Sequence, residues 1–126
     1  AKLQKFAQAL HEAVSGQDHL LVASTDLSHF YPQDHAEVLD AEMLKRIKAM
    51  DAQAVLNAEE EGSGSACGAG GVAAMLWTAK LAGADAAYIL NYSSSADATG
   101  DRSSVVGYGA AAVFRRTKLQ VESMSV

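Results

Sequence analysis

The stretch HLLVASTDLSHFYP, residues 19–32, starts as an apolar run and stops at an acid, with a histidine three positions further on. A short apolar run bounded by turn signals suits a strand buried on both faces, so His19 to Ser24 are expected to form one. Asp26-x-x-His29 then falls at that strand's carboxyl end. It is either a turn that closes the strand or half of a site.

Upstream, Leu3, Phe6, Ala7, Leu10 and Val14 recur at helical spacing until Ser15-Gly16, which predicts an amphipathic helix over residues 2–15. Downstream, Asp34 is placed to cap a long helix with Val38, Leu39, Met43, Leu44 and Ile47 on one face. Lys45, Arg46 and Lys48 stand near its end, where cations suit the dipole. A shorter helix follows over 51–61, and GSGSACGAGG (62–71) is a shaped loop rather than helix interior. A further helix runs from Gly71 to Leu81, and Gly83 can end it. Strands are expected at 87–92 and 105–114, joined by the polar loop SSSADATGDRSS. Helices alternating with apolar strands define an α/β fold, a sheet flanked by helices. Three strands make a thin sheet, which belongs more naturally to a larger one.

Composition narrows the function classes. A chain of 126 residues, 49% hydrophobic, is sized for a single domain. A net charge of −5 with scattered basic residues argues against nucleic acid as a partner. No apolar run nears the roughly 18 residues of a membrane span, so no membrane is expected. One cysteine cannot form an internal disulfide, which points to the cytoplasm. The chain opens at Ala1 without a methionine and enters a helix at once, as the C-terminal portion of a longer protein would.

Ligands of open α/β sheets bind beyond the carboxyl ends of strands, so a parallel sheet would bring Asp26, His29, Asp97 and Asp101 to one edge. Cys67 lies ahead of a helix, where unpaired N–H groups lower a thiol's pKa. The resulting thiolate is a nucleophile or a metal ligand. The glycines around it let backbone approach a bound group, although their spacing is not that of a phosphate loop. Each residue also has a plainer role: Asp26 as a turn cap, His29 as a satisfied half-buried histidine, Cys67 as a small buried hydrophobe. His11, His19 and His35 read as surface residues, Glu59 to Glu61 as a solvated helix end, and Met75 and Trp77 as core.

Three strings in order, STDLSHFYP, SACGAGGVAAML and LNYSSSADATGDRSSVVGYGAAAV, resemble the C-terminal half of the Memo family, also described as AmmeMemoRadiSam system protein B. The resemblance extends from Leu20 to Phe114. That family looks like the class III extradiol dioxygenases, so it implies their α/β fold and a non-haem metal. It implies that Asp26 and His29 take part in catalysis, His29 as acid/base, and that Cys67 is a metal ligand. The cofactor would be a transition metal, iron or copper, with zinc as the alternative. The family's two metal-binding histidines come from its N-terminal half, which is not in this chain. That half, or a second copy of the chain, is therefore the implied partner, and the isolated chain is expected to be metal-poor. Two functions follow: a metal-dependent redox enzyme acting on an unnamed small molecule or peptide, or a non-catalytic binding module with a vestigial pocket.

Overall fold

The computed structural model describes residues 2–116. Helix α1 spans Lys2–Val14, strand β1 His29–Tyr31, helix α2 Gln33–Lys48, helix α3 Ala52–Glu61 and helix α4 Ala69–Leu81. Strand β2 (Ala86–Ser94), the short helix α5 (Ala96–Thr99) and strand β3 (Val105–Phe114) complete the order.

The helices form where periodicity and caps agree. Asp51 accepts the Ala54 N–H at 3.0 Å and so starts α3, and Gly62 ends it with φ of 77°. The α2 cap differs from expectation. Pro32 occupies the cap position, and Asp34 sits inside the first turn, where its charge still favours the dipole. On α1, Ala7 is buried, whereas Phe6 is 56% exposed and lies off the packed stripe.

The sheet is small and antiparallel, in the order β1-β3-β2. Its inner face carries Ile89, Tyr92, Gly107, Gly109 and Val113 toward α2, and the core is built from Leu27, Met43, Ile47, Val55, Val72 and Leu76. Met75 and Trp77 pack at its margin as half-buried residues.

Two expectations are corrected here. Residues 19–24 form no strand, and the strand that does form is His29–Tyr31, within the motif itself. Pairing with β3 begins where Leu27 N–H meets Gly107 O at 2.9 Å and Gly107 N–H meets Ser28 O at 2.9 Å. Upstream the chain makes no backbone bond to β3, and a cavity of about 90 Å³ opens there, lined by Ala23 and Thr25, by Gly109 and Ala111 of β3, and by Leu44 of α2 and Met75 of α4. Among the described residues, no backbone group of 18–25 makes a hydrogen bond. Exposure there alternates in the manner of a strand, but Leu20 is 86% and Val22 77% exposed, so the segment is not buried on both faces. The second correction concerns direction. Because both pairings are antiparallel, the loop after β2 is not set beside the Asp26 motif by a parallel sheet.

Candidate functional site

Asp26, His29 and Cys67 meet although forty residues separate the outer two. A donor atom of each lies within 4.8 Å of the others. His29 Nε2 is 3.5 Å from Asp26 Oδ2, and the two side chains are 34% and 48% exposed, so solvent screening leaves this pair little weight in stability.

Thr25 holds the two strings together, a role no motif pointed to. Its Oγ1 accepts the Gly68 N–H at 2.7 Å and has one proton shared between two acceptors, Asp26 O at 2.7 Å and Cys67 Sγ at 3.5 Å. Gly68 permits the approach, since a Cβ there would sit 2.7 Å from Ser24 O and 2.9 Å from Thr25 Cβ. On the far side Glu59 Oε2 accepts the Ala66 N–H at 2.7 Å, and Glu61 pairs with Arg46 at 3.8 Å. The acidic end of α3 is thus only partly the solvated face expected of it.

Cys67 is exposed and free, not a buried hydrophobe. The Thr25 hydroxyl and then the Asp26 N–H, 3.4 Å from Sγ, hold its thiol below the ordinary value, against a raising effect of the nearby Asp26 carboxylate. Hydrogen bonds from the Asp26 segment, rather than the start of α4 alone, therefore favour thiolate. Phe30 adds a local irregularity. Its φ of 66° is left-handed for a non-glycine residue, at a register shift between His29 and Tyr31, and its ring is exposed.

Asp97 and Asp101 are occupied within their own loop. Asp97 accepts from Ser93 Oγ and Ser94 N, and Asp101 from Ser103, which holds both carboxyls below their ordinary range. His19 and His35 are exposed, as expected of surface residues, and His11 is half-buried.

A free, exposed thiol beside a half-buried imidazole and carboxylate, at the junction of a small sheet and a helix start, is a donor set of the kind that metal sites and nucleophile sites use. The Memo-like protein family matches residues 1–112, and the chain belongs to that family. It is 43% identical over 102 residues to a MEMO1 family protein of Methanothermobacter thermautotrophicus, covering 81% of this chain and 36% of that one. With the MEMO1 family protein of Methanopyrus kandleri it shares 41% over 97 residues, 77% of this chain and 34% of the relative. With that of Methanocaldococcus jannaschii it shares 38% over 111 residues, 88% and 37%. The chain thus spans about a third of the length of the curated relatives it matches. No helix among the described residues is long and apolar enough to cross a membrane.

Proposed function

We propose that the chain carries the thiolate side of a metal-dependent redox site in a fold related to the class III extradiol dioxygenases, acting in the cytoplasm on a small molecule or peptide. The observation that carries this reading is the convergence of Cys67, His29 and Asp26 within 4.8 Å, with the thiol held below its ordinary pKa. The donor chemistry fits a soft transition ion, iron or copper, with zinc as the alternative. Ligand atoms around a four-coordinate ion stand about 3.3–3.8 Å apart, so the cluster needs only modest closure to hold one. The ion supplies electron transfer or Lewis acidity when bound. Cys67 Sγ is its anchor in this chain. His29 moves a proton at Nε2, and Asp26, 3.5 Å away, orients the ring.

Further ligands and a strand come from a partner, the N-terminal half of a Memo-type protein. What supports this is the unpaired backbone of residues 18–25, with Leu20 and Val22 exposed beside it. An open edge that carries exposed apolar side chains invites a strand.

The test measures metal content, solution mass and oxygen uptake with a reductant, for this chain alone and mixed with the N-terminal half of a relative. Expected are stoichiometric metal and oxygen uptake only in the mixture, loss of metal in Cys67→Ser, and loss of uptake with metal retained in His29→Ala. A stable dimer of this chain would assign the edge to a second copy. Metal without oxygen uptake under any reductant would overturn the redox reading in favour of the binding module, and absence of metal in the mixture would overturn the metal site.

A further inference from the structure

Asp40 stands on the core side of α2 and is fully buried. Its Oδ1 accepts the Ser28 N–H at 2.9 Å, and its Oδ2 accepts the Tyr92 hydroxyl at 2.5 Å. Ser28 O, in turn, accepts the Gly107 N–H at 2.9 Å. Ser28, between Asp26 and His29, is therefore gripped at both its backbone groups. Gly107 is required for this, because a Cβ there would collide with the Asp40 carboxylate.

A buried carboxylate is a costly way to fill a core position, and an apolar residue of similar size often serves stability as well or better. Tyr92 shows how specifically this one is served. On β2 the inner face reads Ala87 and Ile89, opposite Val113 and Ala111, and then Tyr92 and Ser94, opposite Gly109 and Gly107. The register shifts between Ile89 and Asn91, which inserts one residue and reverses the alternation. Without that bulge Asn91 would face α2 and Tyr92 would face away. Burial, and then the Asp40 carboxylate, push the Tyr92 phenol far up, so it remains the donor. Ser28 Oγ is buried with no partner among the described residues, so this serine is held through its backbone and not through its hydroxyl.

We propose that Asp40 is a positioning residue for the Asp26–His29–Cys67 cluster, acting through the Ser28 peptide and locked in place by Tyr92. This rests on the reading of that cluster as the functional site. By pinning Ser28, Asp40 fixes where the preceding Asp26 N–H meets Cys67 Sγ and where the following His29 ring meets Asp26.

The experiment is amide hydrogen exchange by NMR on the metal-free chain, comparing Asp26 and Ser28 with Leu76 in α4 as an internal reference. Being metal-free, it separates failure of the clamp from failure of the metal reading. Asp40→Ala is expected to speed Asp26 and Ser28 exchange about tenfold more than Leu76, roughly the loss of one hydrogen bond to a charged group. Asp40→Asn keeps an acceptor for the Ser28 N–H and should restore protection. Val55→Ala, a core truncation remote from the clamp, should speed all three alike. Asp26 and Leu76 rising together in Asp40→Ala, or no recovery in Asp40→Asn, would overturn the proposal. If Asp40→Ala does not fold, Tyr92→Phe decides: selective acceleration at Ser28 supports the lock, and unchanged ratios refute it.

Discussion

Residues 18–25 and residues 26–31 are consecutive in the chain and opposite in how they are held. The second segment is tied to β3 by Leu27, Ser28 and His29, to α2 through Asp40, and to the Cys67 loop through the Asp26 N–H. In the first, the backbone has no partner among the described residues, and two large aliphatic side chains stand in solvent. One stretch of sequence has thus been completed from within the chain over half its length only. The border falls at Thr25, whose hydroxyl belongs to the supported side and whose backbone belongs to the open one. The difference teaches that the mutual placement of Asp26, His29 and Cys67 is set within the chain, while the edge beside it is open among the described residues, where the partner proposed above would enter.

The severest way to break the supported side is Gly107→Ala. It drives a Cβ into the Asp40 carboxylate, so overpacking combines with a disturbed buried charge. A loss of about 3 kcal/mol or more is expected in urea unfolding. A variant as stable as the parent would mean that Asp40 has room to move and that the clamp is loose.

Thr25→Val tests the border with a smaller loss, about 1–3 kcal/mol, because the Gly68 N–H loses its acceptor. It should also raise the Cys67 pKa toward its ordinary value, read as an alkylation midpoint displaced to higher pH. The folded thiol lies below its unfolded value. The thiolate form therefore adds stability above the unfolded pKa, and this is lost as pH falls through the lower folded pKa; in Thr25→Val the dependence should flatten. An unchanged alkylation profile would return the lowering to the helix start.

Phe30→Gly relieves a left-handed φ on the supported side. A gain of up to about 1 kcal/mol is expected after glycine's own entropy cost, and a loss would show that the edge contact of the ring with His29, centroids 5.7 Å apart, outweighs the strain. Smallest of all, Leu20→Ser with Val22→Ser should change the stability of the chain alone by less than about 0.5 kcal/mol, since neither side chain is buried. The same pair should weaken association with an N-terminal half, measured by titration calorimetry. A large loss of intrinsic stability would show that the open segment is not open in solution.

Much of this architecture could be read from residue patterns. The bounds of β3 were visible in Val105 to Phe114, α3 in its Asp51 start and Gly62 stop, and three strings in register sufficed to point to the Memo family. The expected strand at 19–24 failed for a physical reason: apolar alternation records what a segment is able to pair with, and no strand among the described residues is bonded to it. His29–Tyr31 was hidden because it is short and irregular, with a residue at positive φ in its middle. In the site, the residues with reactive groups could be named in advance, whereas those that place them could not. Thr25 and Asp40 reach partners far along the chain, Cys67 at 42 and Tyr92 at 52 positions away, and the bulge that aims Tyr92 leaves no mark in composition. Asp40 even reads as a polar interruption on α2 until the sheet is packed against it.

Because β3 grips the Ser28 peptide and is the last in sequence of the elements described, it also sets an order of events. Loop closure over long separations is slow, and a chain emerging from its amino end brings out Asp26, His29 and Cys67 well before Gly107. Until β3 docks, the Ser28 peptide lacks its Gly107 partner, and the cluster is expected to be loosely held. The lowering of the Cys67 pKa is therefore expected to appear only as folding completes, and in refolding the gain in Cys67 alkylation rate should lag behind the recovery of helical signal.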